Sequence, residues 1–322
     1  MTVDVVKSGL QTTLQDAGRP GFAHLGIGRS GAFDAPALRI ANALCGNPSG
    51  ACALEITLLG PTLRFHDDAW IAVTGAPVPF RIEGADRPTW APVFAAAGST
   101  IELGAMRSGC RSYLAVRGGF DVAPVLGSRS TDVNAQLGPL GGRPLRVGDV
   151  LKLQAAAGAA SRPGNWRLDP RPWFPEDPVA TLRLLPGSHF DRLQESSRKL
   201  LFSEVFVIQP ESNRVGLRLA GPRLEFGEPV EMVSEGCVPG ILQLPPSGQA
   251  IAFGPECPVS GGYPRIGQIA AVDIPRLAQR RPGDALRFVP CTFEDALHAW
   301  RERERALGRL QTGIAARLQA CA

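Results

Sequence analysis

The 322-residue sequence is poor in tyrosine, methionine and lysine. It contains two tyrosines and three methionines, and its only lysines are Lys7, Lys152 and Lys199. The other basic residues are arginines interleaved with acids, which leaves a small net charge of +4. No stretch combines a basic run with the stacking aromatic residues that nucleic-acid surfaces use. The composition therefore argues against a nucleic-acid partner.

Membrane and secretion signals are also missing from the sequence. No apolar run reaches the length of a membrane span, and the first residues, MTVDVVKSGL, lack the basic-then-apolar layout of a signal peptide. The seven cysteines are scattered, and no Cys-x-x-Cys pair occurs. We therefore expect a protein of a reducing, cytoplasmic compartment that does not associate with a membrane.

Familiar nucleotide and metal motifs are weak or lacking. No G-x-x-x-x-G-K-[ST] phosphate loop occurs, and the four histidines are isolated, as is typical of surface or packing residues rather than metal ligands. We therefore predict no metal site. Residues 26–31 (GIGRSG) fit G-x-G-x-x-G, but a loop-like stretch precedes them where a dinucleotide site needs a strand. We interpret them as a loop that either approaches a ligand or has only a structural role.

The composition predicts a globular, mainly β protein. Hydrophobic residues make up 44% and charged residues 20% of the chain, and the 37 glycines and 29 prolines follow no period. A helix is predicted over 36–45, and a C-terminal helix is predicted from near Thr292, whose hydroxyl can cap it. Short runs of β-forming residues lie at 3–6, 53–58, 70–74, 100–103, 113–116, 150–153, 181–185, 204–208, 230–233, 240–244, 250–253 and 286–289.

A stretch dense in Ala, Gly and Pro follows residue 155 and predicts a linker at 159–178. It separates a β domain at 1–158 from a second β domain at 179–322 that carries the C-terminal helix. GPTLRF at 60–65 resembles GPRLEF at 221–226, and RP…GDVLK at 143–152 resembles RPGDALR at 281–287. Two short matches can arise by chance, but a duplicated β domain is their simplest explanation.

Polar residues cluster in four glycine- and serine-rich turns, at 12–19, 128–131, 212–214 and 261–265. Arginine forks, backbone N–H groups and hydroxyls in such loops suit a carboxylate, carbamate or ureide substrate. Each cluster also fits ordinary turn chemistry, in which Ser, Asn and Asp bond their own backbone. Four clusters in one chain favour a binding site.

These clusters, in this order, resemble the biotin-dependent carboxyltransferase-like family, also called the KipA family or the family of the second allophanate hydrolase subunit. That family includes the C subunit of bacterial ATP-dependent 5-oxoprolinase. The resemblance extends over most of the chain and weakens in the linker and the C-terminal tail. It is carried by residues 7–65, 111–131 (RSYLAVRGGFDVAPVLGSRST), 211–219 (ESNRVGLRL), 234–249 (SEGCVPGILQLPPSGQ) and 261–288.

The resemblance implies a mainly β fold with two cyclophilin-like β-barrel domains, a short internal helix and a C-terminal helix. It also implies two partner chains of 5-oxoprolinase, one KipI-like and one of the LamB/YcsF type. ATP would be used by the complex. No methionine neighbours a lysine, as the biotin-carrying hairpin requires, so we expect no covalently bound cofactor in this chain.

Three functions are compatible with the resemblance. The first is ATP-dependent opening of 5-oxo-L-proline to L-glutamate in a hetero-oligomeric complex. The second is carboxyl transfer from carboxybiotin on a separate carrier chain to urea or a similar acceptor. The third is a regulatory role, in which a KipA-like protein binds a KipI-like kinase inhibitor. The lack of carrier, carboxylase and amidase segments in the sequence favours the first.

Within the matching motifs, residue chemistry suggests roles for individual side chains. Arginine forks at 19, 129 and 214 are candidates to hold a substrate carboxylate or a developing oxyanion, and Asp16 is a candidate general base. The predicted catalytic residues are Gln15, Asp16, Arg19 and Asp34. The predicted substrate-binding residues are Ser128, Arg129, Ser130, Thr131, Ser212, Asn213, Arg214, Glu235, Gln243, Gly261, Gly262 and Tyr263.

Overall fold

The computed structural model describes residues 1–154 and 166–320 and divides the chain into two compact units. The first unit comprises Met1–Arg19, Asp34–Glu176 and Arg305–Ala322, and the second comprises Pro20–Phe33 and Asp177–Glu304. This division differs from the predicted domains 1–158 and 179–322. The early segment Pro20–Phe33 belongs to the second unit, and the C-terminal segment Arg305–Ala322 belongs to the first. Such an exchange leaves no local signal in composition, since it depends on where distant segments pack.

The predicted linker at 159–178 is only partly described, since residues 159–165 lie outside the described residues. Its described part packs on the first unit. The Leu168 backbone N–H donates to the Trp90 carbonyl at 2.8 Å, and Phe174 is buried. Residues 166–176 are therefore a packed part of the first unit rather than a free connection.

The first unit contains two antiparallel sheets, of six and five strands. Their orders are β11-β1-β4-β9-β6-β7 and β2-β3-β10-β5-β8. The strands are β1 (Thr2–Lys7), β2 (Gln11–Gln15), β3 (Ala53–Thr57), β4 (Thr62–Phe65), β5 (Ala69–Gly75), β6 (Phe80–Ile82), β7 (Ala85–Asp86), β8 (Pro92–Ala95), β9 (Thr100–Leu103), β10 (Arg111–Val116) and β11 (Val150–Lys152). The helices are α1 (Ala35–Leu44) and the single turn α2 (Pro139–Gly142).

Helix α1 confirms the helix predicted over 36–45. Asp34 is its N-cap and accepts a hydrogen bond from the Ala37 backbone N–H at 3.1 Å, and Pro36 lies in the first turn, where its missing N–H costs nothing. The Thr74 hydroxyl, on β5, donates to the Ala37 carbonyl at 2.7 Å. The helix therefore packs against the five-stranded sheet, whose strands β5 and β10 are buried along their whole length.

The second unit is built on a closed barrel of seven strands in the order β12-β19-β16-β17-β14-β13-β20. Strands β12 and β20 pair in parallel, the other barrel neighbours are antiparallel, and β15 and β18 form a separate two-stranded ribbon. The elements are β12 (Val179–Pro186), α3 (Glu195–Ser203), β13 (Phe206–Ile208), β14 (Gly216–Ala220), β15 (Glu235–Gly236), β16 (Ile241–Gln243), β17 (Ile251–Phe253), β18 (Ser260–Gly261), β19 (Arg265–Ile269), α4 (Ile274–Ala278) and β20 (Ala285–Pro290).

Alternating side chains fill the barrel. On β12, Ala180, Leu182 and Leu184 point inward, as the period of two in a strand requires. Phe206 and Phe288, on the neighbouring strands β13 and β20, pack in the core with ring centroids 5.6 Å apart and planes tilted by 55°. Phe33, from the early segment, is buried in the same cluster.

The C-terminal helix α5 (Phe293–Gln319) begins where the sequence predicts it. The Thr292 hydroxyl oxygen accepts the Asp295 backbone N–H at 3.1 Å and caps the helix. The buried side chains of this helix are Leu307 and Ile314. In the part that belongs to the first unit, Gln311 donates to the Ser49 hydroxyl at 2.8 Å. None of the helices in residues 1–154 and 166–320 is both long and apolar enough to cross a membrane.

The predicted mainly β fold is confirmed, with the closed barrel in the second unit and two sheets in the first. The strand predicted at 230–233 is wrong, because this segment pairs with no strand and Val233 is 85% exposed. β-forming residues make a strand only where a neighbour pairs with them. Helix α3 was not predicted. Its sequence is mostly polar, and tertiary packing of the fully buried Leu201 stabilises it.

Candidate functional site

The predicted site residues fall into two groups, one in each unit. The first unit contains Gln15, Asp16, Arg19, Asp34 and Ser128–Thr131. The second unit contains Ser212, Asn213, Arg214, Glu235, Gln243, Gly261, Gly262 and Tyr263.

Asp16 is the centre of the group in the first unit. Its Oδ1 accepts the Ser128 hydroxyl at 2.6 Å, the Ser130 hydroxyl at 2.5 Å and the Gly18 backbone N–H at 2.8 Å. Its Oδ2 accepts the Arg129 backbone N–H at 2.5 Å. Asp16 is buried, and a buried carboxylate is stable when donors surround it in this way. These contacts hold the 128–130 loop against the end of β2.

Gln15 and Arg19 flank Asp16 and are almost completely buried. Gln15 Nε2 donates to the Thr131 carbonyl at 2.8 Å and to the Thr13 hydroxyl at 3.1 Å. Arg19 donates to the Ser130 carbonyl. The Gln15 Oε1 atom is buried and accepts no hydrogen bond from any residue that the structure describes.

Arg129 is half-buried and held at one point of its guanidinium. Its Nε donates to the Val122 carbonyl at 2.8 Å. Within the described parts of the chain its two terminal nitrogens have no hydrogen-bond or ion-pair partner. A guanidinium fixed at Nε presents its fork in a defined direction, which suits a carboxylate or phosphate ligand.

Asp34 lies in a buried polar network that the sequence analysis did not identify. Its backbone N–H donates to the Tyr113 hydroxyl at 2.8 Å, and that hydroxyl donates to Glu55 Oε2 at 2.7 Å. Arg111 Nε lies 3.6 Å from Glu55 Oε1. Burial, together with the negative charges of Glu55 and Asp34, raises the pKa of Tyr113 well above its usual range. Strands β3 and β10 are buried on both faces, and no local pattern in the sequence showed that these residues meet.

A cavity of about 330 Å³ in the second unit brings five of the predicted residues together. They are Asn213, Gln243, Gly261, Gly262 and Tyr263. Sequence reasoning missed the other lining residues, which are Glu211, Val215, Gly216, Arg218, Ile251, Phe253 and Pro258. This volume is at the small end of ligand pockets, which span roughly 300–1,000 Å³.

Gln243 lies at the buried side of this cavity, with 2% of its surface exposed. Its Nε2 has one long contact, 3.8 Å to Cys237 Sγ. A Cβ atom on residue 261 would lie 2.7 Å from that Nε2, so only glycine leaves room for the amide there. At the rim, the Asn213 Oδ1 accepts the Val215 backbone N–H at 2.8 Å, and Tyr263 is 46% exposed.

Three predicted residues of the second unit do not line the cavity. Arg214 is buried, and its Nε donates to Glu256 Oε1 at 2.5 Å while its terminal nitrogen donates to the Gly31 carbonyl at 2.7 Å. Glu235 pairs with Arg265, and the Ser212 hydroxyl accepts the Arg218 backbone N–H at 3.0 Å. These contacts favour structural roles for the three residues.

Residues 25–290 match the family described as "Carboxyltransferase domain, subdomain A and B". The chain belongs to this family. The resemblance drawn from the motifs is thereby confirmed for most of the chain length, and the motifs at 211–219 and 261–288 that line the cavity lie within the match.

Two relatives match over nearly their full lengths, and each is named as the C subunit of a 5-oxoprolinase. The relative from Escherichia coli is 38% identical, over 95% of this chain and 96% of its own length. The relative from Haemophilus influenzae is 33% identical, over 96% of this chain and 97% of its own length.

Among solved structures, the urea amidolyase of Kluyveromyces lactis matches with a TM-score of 0.87 and 28% identity. The match covers 95% of this chain and only 20% of that one. The chain thus spans almost the whole length of the 5-oxoprolinase subunits but a small part of the urea amidolyase.

Proposed function

We propose that this carboxyltransferase-family chain is a subunit of ATP-dependent 5-oxoprolinase, which hydrolyses 5-oxo-L-proline to L-glutamate. The supporting observation is the near full-length match to the C subunits of two 5-oxoprolinases, at 38% and 33% identity. The other chains of the proposed complex are a KipI-like chain and a LamB/YcsF-type chain. The reaction takes place in the cytoplasm, where ATP is available.

The lactam of 5-oxoproline is an unactivated amide, so its hydrolysis is coupled to ATP. Transfer of the γ-phosphoryl group to the amide oxygen gives ADP and an activated imidate. One water molecule adds to the ring carbon, and the C–N bond then breaks to leave an acyl phosphate and a free amine. A second water molecule hydrolyses the acyl phosphate to the carboxylate and phosphate. Each step develops charge that arginine forks and backbone donors can stabilise.

The contribution of this chain is to bind and orient the substrate. The cavity of the second unit supplies a buried amide, Gln243, beside the apolar side chains of Ile251 and Phe253. In the first unit, and independently of that cavity, Arg129 presents the free end of its guanidinium to an anion, and Asp16 fixes the loop from which Arg129 projects. The general-base role of Asp16 stays a prediction, and its four donors favour a positioning role.

The proposal is tested by reconstitution. The chain is purified alone and with its co-encoded KipI-like and LamB/YcsF-type chains, and phosphate and glutamate release are measured with 5-oxoproline and ATP. We expect turnover only from the complete complex, with one glutamate formed per ATP consumed. Omission of each chain in turn is the matched control. Turnover by this polypeptide alone, or none by the complete complex, would contradict the proposal.

A second candidate function is carboxyl transfer to urea or a similar acceptor from carboxybiotin on a separate carrier. Two observations favour it: the family description names a carboxyltransferase domain, and the TM-score to the urea amidolyase is 0.87. It predicts that labelled bicarbonate enters the acceptor when the chain is mixed with a biotin carrier, its carboxylase, ATP and urea, with ATP hydrolysed to ADP and phosphate as the biotin is carboxylated. Labelled product without any response to 5-oxoproline would replace the first proposal with this one.

A further inference from the structure

Arg218 is the positively charged residue that lines the second-unit cavity, and it lies outside the sequence clusters. It lies on β14 between Leu217 and Leu219, which are buried in the barrel, and its own side chain is exposed on the outer face. Its backbone N–H is held by the Ser212 hydroxyl at 3.0 Å. In residues 1–154 and 166–320, however, its guanidinium has no hydrogen-bond or ion-pair partner. The backbone is therefore fixed while the fork remains available to a ligand.

Two of the arginines considered for a carboxylate, Arg19 and Arg214, differ in this respect. Arg19 and Arg214 are 1% and 3% exposed, and both donate to backbone carbonyls. Burial of this kind leaves little room for a ligand. The one acidic residue that lines the cavity, Glu211, carries a single charge that Arg218 balances, so the lining has no net negative charge to repel an anion.

Gln243 supplies the second polar group of the cavity that is available to a ligand. Its side chain is almost completely buried, yet its Oε1 accepts no hydrogen bond from any part of the chain that the structure describes. Its Nε2 has only the long contact to Cys237 Sγ. Buried amides are normally hydrogen-bonded, so an amide that has no partner for its oxygen and borders a cavity can pair with a ligand held there.

The chemistry of a lactam matches this amide. The ring of 5-oxoproline holds its peptide group cis, so the N–H and the C=O point to the same side. A primary amide also presents an N–H and a C=O side by side, and the two groups can form a pair of antiparallel hydrogen bonds. The ring methylene groups would then contact the apolar wall formed by Ile251, Phe253 and Pro258.

We propose that Gln243 recognises the lactam and Arg218 the carboxylate of 5-oxoproline in this cavity. The inference rests on the proposed function and names the specificity-determining residues of its substrate site. The two residues contact different parts of the same ligand. Arg218 contacts only the carboxylate, as a bidentate fork, and Gln243 contacts only the amide.

Binding of three ligands tests the assignment on the full chain and on its complex with the KipI-like and LamB/YcsF-type chains. These ligands are 5-oxoproline, 2-pyrrolidinone, which lacks the carboxylate, and proline, which lacks the lactam carbonyl. We expect Arg218→Gln to raise the Kd for 5-oxoproline roughly tenfold to a hundredfold and to leave that for 2-pyrrolidinone unchanged. Arg218→Lys keeps the positive charge without the fork, so its Kd for 5-oxoproline should lie between those of the wild type and Arg218→Gln.

Gln243→Met should weaken the binding of both lactams, 5-oxoproline and 2-pyrrolidinone, and leave the binding of proline unchanged. Gly261→Ala provides a second variant. The added Cβ atom would displace the Gln243 amide and leave the amide chemically unchanged. Arg223→Gln is the matched control. Arg223 is an exposed arginine of the same unit that pairs with Glu225 and does not line the cavity. Circular dichroism and the melting temperature verify that each variant is folded.

The possible outcomes separate this inference from the proposed function. Equal losses for 5-oxoproline and 2-pyrrolidinone in Arg218→Gln, or no loss for either, would overturn the assignment of Arg218. A complex that hydrolyses 5-oxoproline with an unchanged KM in both Arg218→Gln and Gln243→Met would overturn the inference and leave the proposed function standing. Ligand selectivity as expected, without turnover by the complete complex, would refute the proposed function alone. No binding of 5-oxoproline to the chain or to the complex would overturn the inference.

Discussion

Arg129 and Asp16 show how one loop can combine a fixed residue with an available one. The Arg129 backbone is bound to the Asp16 carboxylate and its Nε to the Val122 carbonyl, while the terminal nitrogens have no partner in the part of the chain that the structure describes. A side chain held in this way loses little conformational entropy when an anion binds. Arg129 is therefore the predicted arginine of the first unit that can bind an anion, such as a phosphate or a developing oxyanion.

We expect Arg129→Lys to preserve folding and formation of the complex but to lower kcat/KM of the reconstituted complex. A lysine cannot reproduce both the Val122 contact and a bidentate fork. Losing one charge-assisted hydrogen bond costs about 1.5–3 kcal/mol, or roughly tenfold to a hundredfold in kcat/KM. Steady-state kinetics and a thermal melt on the same preparation check this. A lower melting temperature with wild-type kinetics would make Arg129 a structural residue.

For Asp16 we expect substitution to lower stability, whereas substitution of Arg129 should lower activity and preserve folding. Asp16→Asn places an amide among four donors and should lower the free energy of unfolding by about 1.5–3 kcal/mol. Urea denaturation of the isolated chain measures this. Asp169→Asn is the control, because Asp169 pairs with Arg171 at the exposed surface, where such pairs contribute little. Wild-type stability combined with lost turnover would instead support a general base.

At the scale of elements, the segment Pro20–Phe33 is held by residues that are distant in sequence. Its glycine-rich stretch has exposed residues, including Leu25 at 62% exposure, but its end is tied to the barrel. The Ser30 backbone N–H donates to the Pro255 carbonyl at 3.0 Å, Arg214 donates to the Gly31 carbonyl, and Phe33 is buried in the barrel core. The buried pair of Arg214 and Glu256 is therefore an anchor for this segment.

Removing one partner of that anchor should be costly. We expect Arg214→Met to lower the free energy of unfolding by about 3–5 kcal/mol, because it leaves the Glu256 carboxylate buried without its cation. Amide exchange at Ser30 should become faster as the segment loosens. The double variant Arg214→Met, Glu256→Met should recover part of the loss, and Arg223→Met serves as the exposed control. Unchanged stability together with a raised substrate KM would show that Arg214 binds substrate.

For the whole molecule, buried thiols and a buried phenol lead us to expect a loss of stability at alkaline pH. Burial raises the pKa of Cys45 and Cys52 far above the ordinary value of 9.0 and raises the pKa of Cys257 to about 12. The pKa of Tyr113 is raised well above 10.0. In the unfolded chain these groups ionise near their ordinary values, whereas in the folded chain they keep their protons. The unfolded state therefore binds fewer protons above pH 9, and stability must fall as the pH rises.

We expect the free energy of unfolding to be flat near neutral pH and to fall above about pH 9, by up to about 1.4 kcal/mol per pH unit for each such group. Urea denaturation across this pH range measures it. The double variant Cys45→Ala, Cys52→Ala should show a shallower fall near pH 9, and Tyr113→Phe a shallower fall above about pH 10. Tyr263→Phe changes an exposed tyrosine and is the control. Identical slopes in all four proteins would show that these groups do not control alkaline unfolding.

Short-range features of this protein are determined by its sequence. Helix α1 with the Asp34 cap, helix α5 with the Thr292 cap, the many short strands and the polar turn clusters depend on residues only a few positions apart. Caps, turns and side-chain periodicity are local hydrogen-bonding and burial requirements, so one chain segment is enough to indicate them. The family motifs are also short runs of sequence, and they were enough to indicate the family.

Only the tertiary structure decided which polar residues remain available to a ligand. Asp16 bonds Ser128 across 112 positions, and Arg214 bonds Gly31 across 183 positions. These contacts commit two predicted site residues to the fold, whereas Arg218, Glu55 and Tyr113 acquire their surroundings from strands that pair far along the chain. Burial and pairing of a side chain depend on which distant segments pack around it. Because a charge is stable in the interior only with its partners in place, the same arginine can anchor a loop or face a cavity.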